Sequence, residues 1–164
     1  MIDYRVGIGF DIHRYEKGNG LFLGGVLIPC EYRFKAHSDG DIIIHSIIDS
    51  ILGALPDIFE YKNIGLLFPD NNPEYKNISS VHLLNQVLAQ ISPWKVDSCD
   101  IILIMEKPKL GPKVMEIIDN LKLLLKTNLV NVKPRTAEGT GLIGRQKAAS
   151  CICIIKLSKK IEIT

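Results

Sequence analysis

The chain has 164 residues, of which 46% are hydrophobic and 23% charged, values typical of one globular domain spanning residues 1–164. Its 20 basic and 18 acidic residues give a net charge of +2, which is too small to indicate a nucleic-acid or anionic-membrane partner. No stretch approaches the roughly 18 apolar residues of a membrane span, and the first residues lack the apolar core of a signal peptide. We therefore expect a soluble, cytoplasmic protein.

The first third of the chain predicts strands followed by a helix. Residues 4–12 alternate loosely between polar and apolar and predict a strand, and residues 21–29 predict two short strands around a pair of glycines. Residues 39–55 carry isoleucine and leucine at helical spacing, so they predict a helix that Asp39 or Asp41 caps.

The rest of the chain interleaves helices and strands. Residues 56–78 are rich in turn formers and predict a long loop, of the kind that often carries function. The later elements are predicted as a helix over 79–91 begun by Ser79 and Ser80, a strand over 98–105, a helix over 111–127, and strands over 130–136 and 150–157. This order indicates an α+β fold, a layered sheet with helices on one face, whose strand order is not predicted.

Four cysteines lie at positions that form no C-x-x-C pair. Free cysteine is usually buried as a small apolar side chain, so we expect thiols in the core. A cysteine zinc site or a disulfide framework is not indicated by this spacing. The four are Cys30, Cys99, Cys151 and Cys153.

Two histidine-containing segments suggest a metal site. Asp11 and His13 are two residues apart on a predicted strand, so both side chains leave the same face and could bind one ion. Taken alone, this spacing also fits a chance pair of surface residues. The segment from Ala36 (AHSDGDIIIH) ends in His45, which lies among isoleucines and needs either a metal or a buried hydrogen bond. Asp41 is four residues earlier, and on a helix it would share a face with His45.

Two later segments are rich in polar and turn-forming residues. Residues 63–76 offer charge in a segment that also fits a purely structural loop. Residues 131–145 combine glycines, which let backbone N–H groups approach phosphate, with Lys133 and Arg145, which could neutralise it. Glu138 is a suitable hard ligand for a phosphate-bound Mg²⁺, although the segment also fits a glycine-rich turn.

Together and in this order, these four segments closely resemble the 2-C-methyl-D-erythritol 2,4-cyclodiphosphate synthase family of the non-mevalonate isoprenoid pathway. The resemblance covers residues 5–157, and it rests on the motifs GIGFDIH, HSDGDIIIH, IGLLFPD and NVK…EGTG…GR. It implies an α+β subunit assembled as a homotrimer, with active sites between neighbouring subunits. It also implies a lyase that converts 4-diphosphocytidyl-2-C-methyl-D-erythritol 2-phosphate into the cyclic diphosphate and CMP.

The resemblance also implies roles for individual residues. Asp11, His13 and His45 would bind Zn²⁺, and Glu138 would hold Mg²⁺ or Mn²⁺ bridging the substrate diphosphate. His37 and Thr136 would be the catalytic residues that stabilise the transition state. The implied substrate-binding residues are Asp11, His13, Ser38, Asn63, Gly65, Phe68, Asp70, Asn72, Met105, Pro108, Lys109, Gly111, Arg135, Glu138, Leu142 and Arg145.

The chain departs from the family pattern at several positions. Asn63 stands where the family usually has Asp, which removes a charge, and residues 56–62 form a longer connection in which Asp57 or Glu60 could compensate. The remaining departures are Pro134 and Arg135, Ala137, and Leu142 in place of a frequent aromatic.

Two alternatives to the lyase are compatible with the same residues. A zinc-dependent phosphohydrolase would use Asp11, His13 and His45 to bind a metal-bound water, with His37 as general base. A non-catalytic nucleotide-binding protein would need the metal triad to be structural, yet structural zinc sites usually have four protein ligands.

Overall fold

The computed structural model describes residues 1–69 and 71–161 and shows a mixed α+β architecture. The strands are β1 (Ile2–Lys17), β2 (Leu21–Leu23), β3 (Val26–Ile28), β4 (Tyr32–Phe34), β5 (Lys95–Ile104), β6 (Val130–Arg135) and β7 (Ala148–Lys160). The helices are α1 (Ile42–Ala54), α2 (Ile64–Leu67), α3 (Ser80–Gln90), α4 (Lys113–Leu125) and α5 (Gly141–Gly144), with a short 3₁₀ turn at Pro73–Tyr75.

Five strands form the main sheet in the order β4-β1-β7-β5-β6. All neighbours are antiparallel except β5 and β6, which are parallel because α4 carries the chain back between them. The pair β2–β3 forms the predicted hairpin around Gly24 and Gly25. Among residues 1–69 and 71–161, every helix is too short or too polar to span a lipid bilayer.

One face of this sheet is covered by helices, as expected. Helix α1 packs against β1 and β7, α3 packs against α1, and α4 contacts β6. The isoleucine stripe of α1 is fully buried, and Cys99, Cys151 and Cys153 lie buried on the strands. The prediction of thiols in the core is therefore correct for these three, whereas Cys30 is only partly buried.

Two glycines of β1 set how closely α1 approaches the sheet. A Cβ added at Gly7 would lie 1.9 Å from the Ser50 carbonyl oxygen, and one added at Gly9 would lie 2.0 Å from the Ser46 carbonyl oxygen. Real Cβ atoms do not make such contacts, so α1 rests on bare strand backbone. This close approach places the first turns of α1 directly over the residues that follow Gly9.

The opposite face of the sheet is apolar and uncovered in the single chain. Val6, Ile8, Phe10 and Ile12 of β1 and Ile154 of β7 are between 47% and 66% exposed. They share one face because strand side chains alternate and Ile8 is paired with Ile154. A contiguous apolar face of this kind marks an interaction surface.

The predicted caps and loop were only partly correct. Asp41 caps α1, but Ser79 at the start of α3 makes no side-chain capping hydrogen bond. Instead the Ser80 N–H donates to Asp39 Oδ2 at 3.0 Å, so the capping carboxylate comes from 41 residues earlier in the chain. The predicted loop over 56–78 also contains α2 and the 3₁₀ turn.

We predict that Gly7→Ala lowers the free energy of unfolding by about 3 kcal/mol, because the added methyl meets helix backbone that cannot yield without shifting α1. Gly53→Ala is the matched control, since its Cβ would lie 3.6 Å from the Ile8 carbonyl oxygen and alanine favours helix. Denaturant unfolding of both variants measures this difference, and equal stability of the two would contradict the packing described.

Candidate metal centre

Strand β1 and helix α1 bring three metal-ligating side chains together. Asp11 and His13 project from the helix-covered face of β1, and His45 projects from the first turn of α1 toward them. His45 Nδ1 lies 3.0 Å from Asp11 Oδ2, and His13 Nδ1 lies 3.1 Å from the same oxygen. One ligand atom from each residue falls within 4.8 Å of the other two, which one ion could contact.

The charges of the three side chains reinforce one another. Burial tends to raise the pKa of Asp11, but the close approach of His13 and His45 outweighs it and holds that pKa at about 2. Burial tends to lower the pKa of His45, whereas the hydrogen bond and negative charge of Asp11 raise it, and the increase prevails. The site therefore keeps an ionised carboxylate in a largely buried position.

An unpartnered nitrogen shows that these residues fit a bound cation. Although His13 Nδ1 lies 3.1 Å from Asp11 Oδ2, it is the buried side-chain atom within residues 1–69 and 71–161 that forms no hydrogen bond, because the two groups are in contact without being aligned for one. A buried imidazole nitrogen without a partner is costly, and a metal ion would satisfy it. In this part of the chain no fourth His, Cys, Asp or Glu joins the group. Three protein ligands with an open position are typical of catalytic zinc sites.

Asp41 does not share a face with His45, contrary to the interpretation from spacing. Its buried carboxylate turns away and accepts N–H groups from Gly24 at 2.9 Å, Gly25 at 2.6 Å, and Ile43 and Ile44 at 3.1 Å each. Burial raises the pKa of Asp41. Asp41 therefore anchors the β2–β3 hairpin to the start of α1 rather than binding metal.

The three ligands lie at the wall of a cavity of about 260 Å³. His37 and Ser38 lie beside them, and Gly65 and Phe68 contribute from the α2 segment, so all four of these predicted residues share the cavity with the triad. Sequence reasoning missed Lys35 and Tyr75, which also line it; Lys35 belongs to no recognised motif, and Tyr75 lies in the 63–76 segment but was given no role there. Lys35 is exposed and places a positive charge at the cavity.

A second cavity, of about 350 Å³, gathers another part of the predicted site. It is lined by Met105, Pro108, Lys109, Leu110, Pro134, Arg135, Thr136 and Glu138. The Thr136 hydroxyl donates a hydrogen bond to the Glu138 carboxylate. Glu106, which the sequence did not single out, accepts the Ala137 N–H at 2.9 Å and so holds the turn that presents these two side chains.

The two cavities are separate within one chain. Asp11 is paired with Cys151, Cys151 with Leu103, and Leu103 with Pro134, so Asp11 and Pro134 lie in one row of the sheet. Three strand spacings of about 4.8 Å place these two backbone positions about 14 Å apart. Thr136 and Glu138 are therefore not brought to the metal ligands of their own chain.

The remaining predicted residues lie in neither cavity. Asn63 accepts the Leu66 N–H at 3.0 Å and Asn72 accepts the Glu74 N–H at 3.1 Å, so both side chains cap local turns. Gly111, Leu142 and Arg145 are exposed, and Asp70 lies outside the described residues. Lys133 does not reach either cavity, because its amine pairs with Asp100 on the uncovered sheet face.

These features define an α+β protein in which three side chains could hold a divalent metal ion with one position open. The YgbB family model matches residues 4–158, and the chain belongs to that family. It is 39% identical over 156 residues to a 2-C-methyl-D-erythritol 2,4-cyclodiphosphate synthase of Caldicellulosiruptor bescii, covering 93% of this chain and 97% of the relative.

Solved structures agree with this family. The bifunctional IspDF of Campylobacter jejuni matches with a TM-score of 0.89 and 32% identity over 98% of this chain, which spans 43% of that longer protein. The IspF of Plasmodium falciparum, solved as a CDP complex, matches with a TM-score of 0.78 and 36% identity, covering 96% of this chain and 97% of that one.

We predict that His45→Ala weakens zinc binding more than 100-fold, because it removes one of three protein ligands. His82→Ala is the matched control, since His82 is exposed near the start of α3 and belongs to no ligand group in the described part of the chain. Competition with a chromophoric chelator measures both affinities. Equal affinity of the two variants would place the metal elsewhere.

Proposed function

We propose that this chain is a metal-dependent lyase that converts 4-diphosphocytidyl-2-C-methyl-D-erythritol 2-phosphate into 2-C-methyl-D-erythritol 2,4-cyclodiphosphate and CMP. The observation that carries the proposal is the open Asp11–His13–His45 centre, with its unpartnered nitrogen, at a cavity of a YgbB-family chain. The curated relatives of similar length carry the name of this synthase, which supports the same reaction here.

The reaction needs positioning and charge stabilisation rather than a protein nucleophile. An oxygen of the 2-phosphate forms a bond to the β-phosphorus of the diphosphate. The bond from that phosphorus to the α-phosphate oxygen breaks, and CMP leaves with the electron pair. Since the attacking group belongs to the substrate, no water is consumed, and the protein must fold the substrate so that the two phosphates meet.

The first cavity supplies the groups that this step requires. Asp11, His13 and His45 would hold Zn²⁺, which when bound polarises a phosphoryl oxygen. His37 and Ser38 line the same cavity and would donate hydrogen bonds to phosphate oxygens, while Gly65 and Phe68 would contact the methylerythritol unit. The family resemblance adds Asn63, Asp70 and Asn72 to that contact, although the side chains of Asn63 and Asn72 cap turns outside this cavity in the single chain. The exposed Lys35 adds positive charge at the mouth.

The second cavity would bind the cytidine diphosphate part. Lys109 and Arg135 provide two cations, and residues 105–111 offer backbone groups for cytosine, as the family resemblance implies. The CDP complex of the Plasmodium falciparum relative supports the binding of a cytidine nucleotide by this chain. Thr136 would stabilise the transition state, and Glu138 would hold Mg²⁺ or Mn²⁺ between the phosphates. The family resemblance adds Gly111, Leu142 and Arg145 to this contact, although all three are exposed outside the cavity in the single chain.

A homotrimer would join the two cavities. Thr136 and Glu138 lie across the sheet from the metal ligands of their own chain, so a neighbouring copy must bring its second cavity to the first. The exposed apolar row of Val6, Ile8 and Phe10 supports such an assembly, because packing against other copies removes it from water. Each site would then contain residues of two subunits.

For the assembly, we expect light scattering after size exclusion to give three times the 18.3 kDa chain mass. Ile8→Glu should shift the mass toward a single chain, because it places a charge on the uncovered sheet face. Leu123→Glu is the matched control, since Leu123 is 77% exposed on α4. A wild-type mass of one chain at micromolar concentration, or an intact trimer in Ile8→Glu, would contradict the proposed assembly.

For the reaction, we expect turnover with Zn²⁺ and Mg²⁺ to yield equal amounts of CMP and the cyclic diphosphate by phosphorus NMR. His45→Ala should lower kcat/KM at least 1,000-fold, because the phosphoryl oxygen loses its polarising cation. His82→Ala should keep wild-type turnover. A linear product that incorporates oxygen from labelled water would instead show the zinc-dependent phosphohydrolase alternative.

A further inference from the structure

The side of His45 that faces away from Asp11 is also occupied. His45 Nδ1 points to Asp11, and Nε2 lies 3.0 Å from the hydroxyl oxygen of Ser80 and 3.2 Å from that of Ser38. Ser80 is the first residue of α3 and is fully buried. A buried hydroxyl therefore contacts the ring nitrogen that does not face the other metal ligands.

Asp39 determines which way the Ser80 hydroxyl points. Its carboxylate accepts from the Ser80 hydroxyl, from the Ser80 N–H at 3.0 Å and from the Asp41 N–H at 3.2 Å. Ser80 has a single hydroxyl proton, and it donates that proton to Asp39 Oδ1. The oxygen of Ser80 is then left with lone pairs, and toward His45 it can act only as an acceptor.

This hydrogen-bond direction decides which nitrogen of His45 is left for a cation. To satisfy the Ser80 oxygen, Nε2 must carry a proton, so a cation would bind at Nδ1 and replace the proton that Nδ1 shares with Asp11. Nδ1 is the atom that faces Asp11 and the unpartnered His13 nitrogen. Ser38 does not impose this direction, because its oxygen already accepts the Gly40 N–H at 3.2 Å while its own proton remains free to rotate.

We propose that Asp39 and Ser80 are positioning residues of the metal centre, forming a relay in which Asp39 orients the Ser80 hydroxyl and Ser80 holds His45 with Nδ1 directed at the ion. Ligating histidines commonly donate their second N–H to a carboxylate or other acceptor, which fixes the ring and raises affinity. Here the carboxylate of Asp39 does not contact the ring; it orients the Ser80 hydroxyl, whose oxygen accepts the hydrogen bond from His45 Nε2. The inference rests on the metal site of the proposed function.

An experiment can distinguish the role of Asp39 and Ser80 in capping α3 from their role in orienting His45. Asp39 also caps α3 through the Ser80 backbone N–H, and that bond persists when the side chain of Ser80 is changed. Ser80→Ala therefore removes the hydroxyl while keeping the cap. Ser79→Ala is the matched control, because Ser79 is the exposed neighbour and makes no capping side-chain hydrogen bond.

The test measures the affinity for zinc and the solvent exchange of the His45 Nε2–H proton, both without substrate. By chelator competition, Ser80→Ala should bind zinc 10- to 100-fold more weakly than wild type, and Ser79→Ala should stay within twofold. Ser80→Thr, which keeps the hydroxyl, should recover most of the affinity. In zinc-loaded protein with ¹⁵N-labelled histidine, the Nε2–H proton of His45 should exchange slowly with solvent in wild type and rapidly in Ser80→Ala.

Two results would overturn the relay while leaving the proposed function intact. One is wild-type zinc affinity and unchanged His45 exchange in Ser80→Ala. The other needs no variant and so does not depend on its folding: zinc-loaded wild type in which His45 carries its proton on Nδ1 and binds the metal through Nε2. Failure of the wild-type protein to bind zinc at all would instead overturn the metal site itself.

Discussion

The close contact between α1 and β1 is the constraint on which the site depends. Gly7 and Gly9 present bare backbone to the Ser50 and Ser46 carbonyl groups, so the helix lies nearer to the sheet than any side chain would allow. The residue before Ser46 is His45, and two residues beyond Gly9 is Asp11. The packing that builds the core thus also sets the separation between the metal ligands.

Buried charge is arranged around this contact in two different ways. Asp41 satisfies four backbone N–H groups and ties the β2–β3 hairpin to the start of α1. Asp11 faces two imidazoles, which hold its pKa at about 2 and leave one imidazole nitrogen unsatisfied. The first arrangement is complete within the chain, whereas the second leaves a position that a cation could fill. This difference separates the structural aspartate from the ligand.

Much of the fold follows from local pattern. The isoleucine stripe predicted α1, the alternation predicted β1, and the glycine pair predicted the hairpin, because each signal lies within a few residues. Spacing alone suggested a metal site at Asp11, His13 and His45 but left a chance surface pair and a buried hydrogen bond open, and the family resemblance joined the three into one triad. The family resemblance assigned the remaining roles, which spacing alone left open.

What the sequence could not reveal depends on contacts between distant segments. The cap of α3 comes from Asp39 rather than from Ser79, and the two residues of that cap are 41 positions apart. The pairing of Lys133 with Asp100 needs the parallel register of β5 and β6. The separation of Thr136 from Asp11 follows from a strand order that periodicity does not contain. These features arise from tertiary contacts, which patterns within a few neighbouring residues do not predict.

The most direct test of this account is a crystal structure of the zinc-loaded protein with anomalous diffraction measured at the zinc absorption edge. The account predicts one strong peak at about 2.0–2.2 Å from a carboxylate oxygen of Asp11 and from one imidazole nitrogen each of His13 and His45, with a water or phosphate oxygen as the fourth ligand. A peak at another place, or a fourth protein ligand that closes the coordination shell, would contradict it.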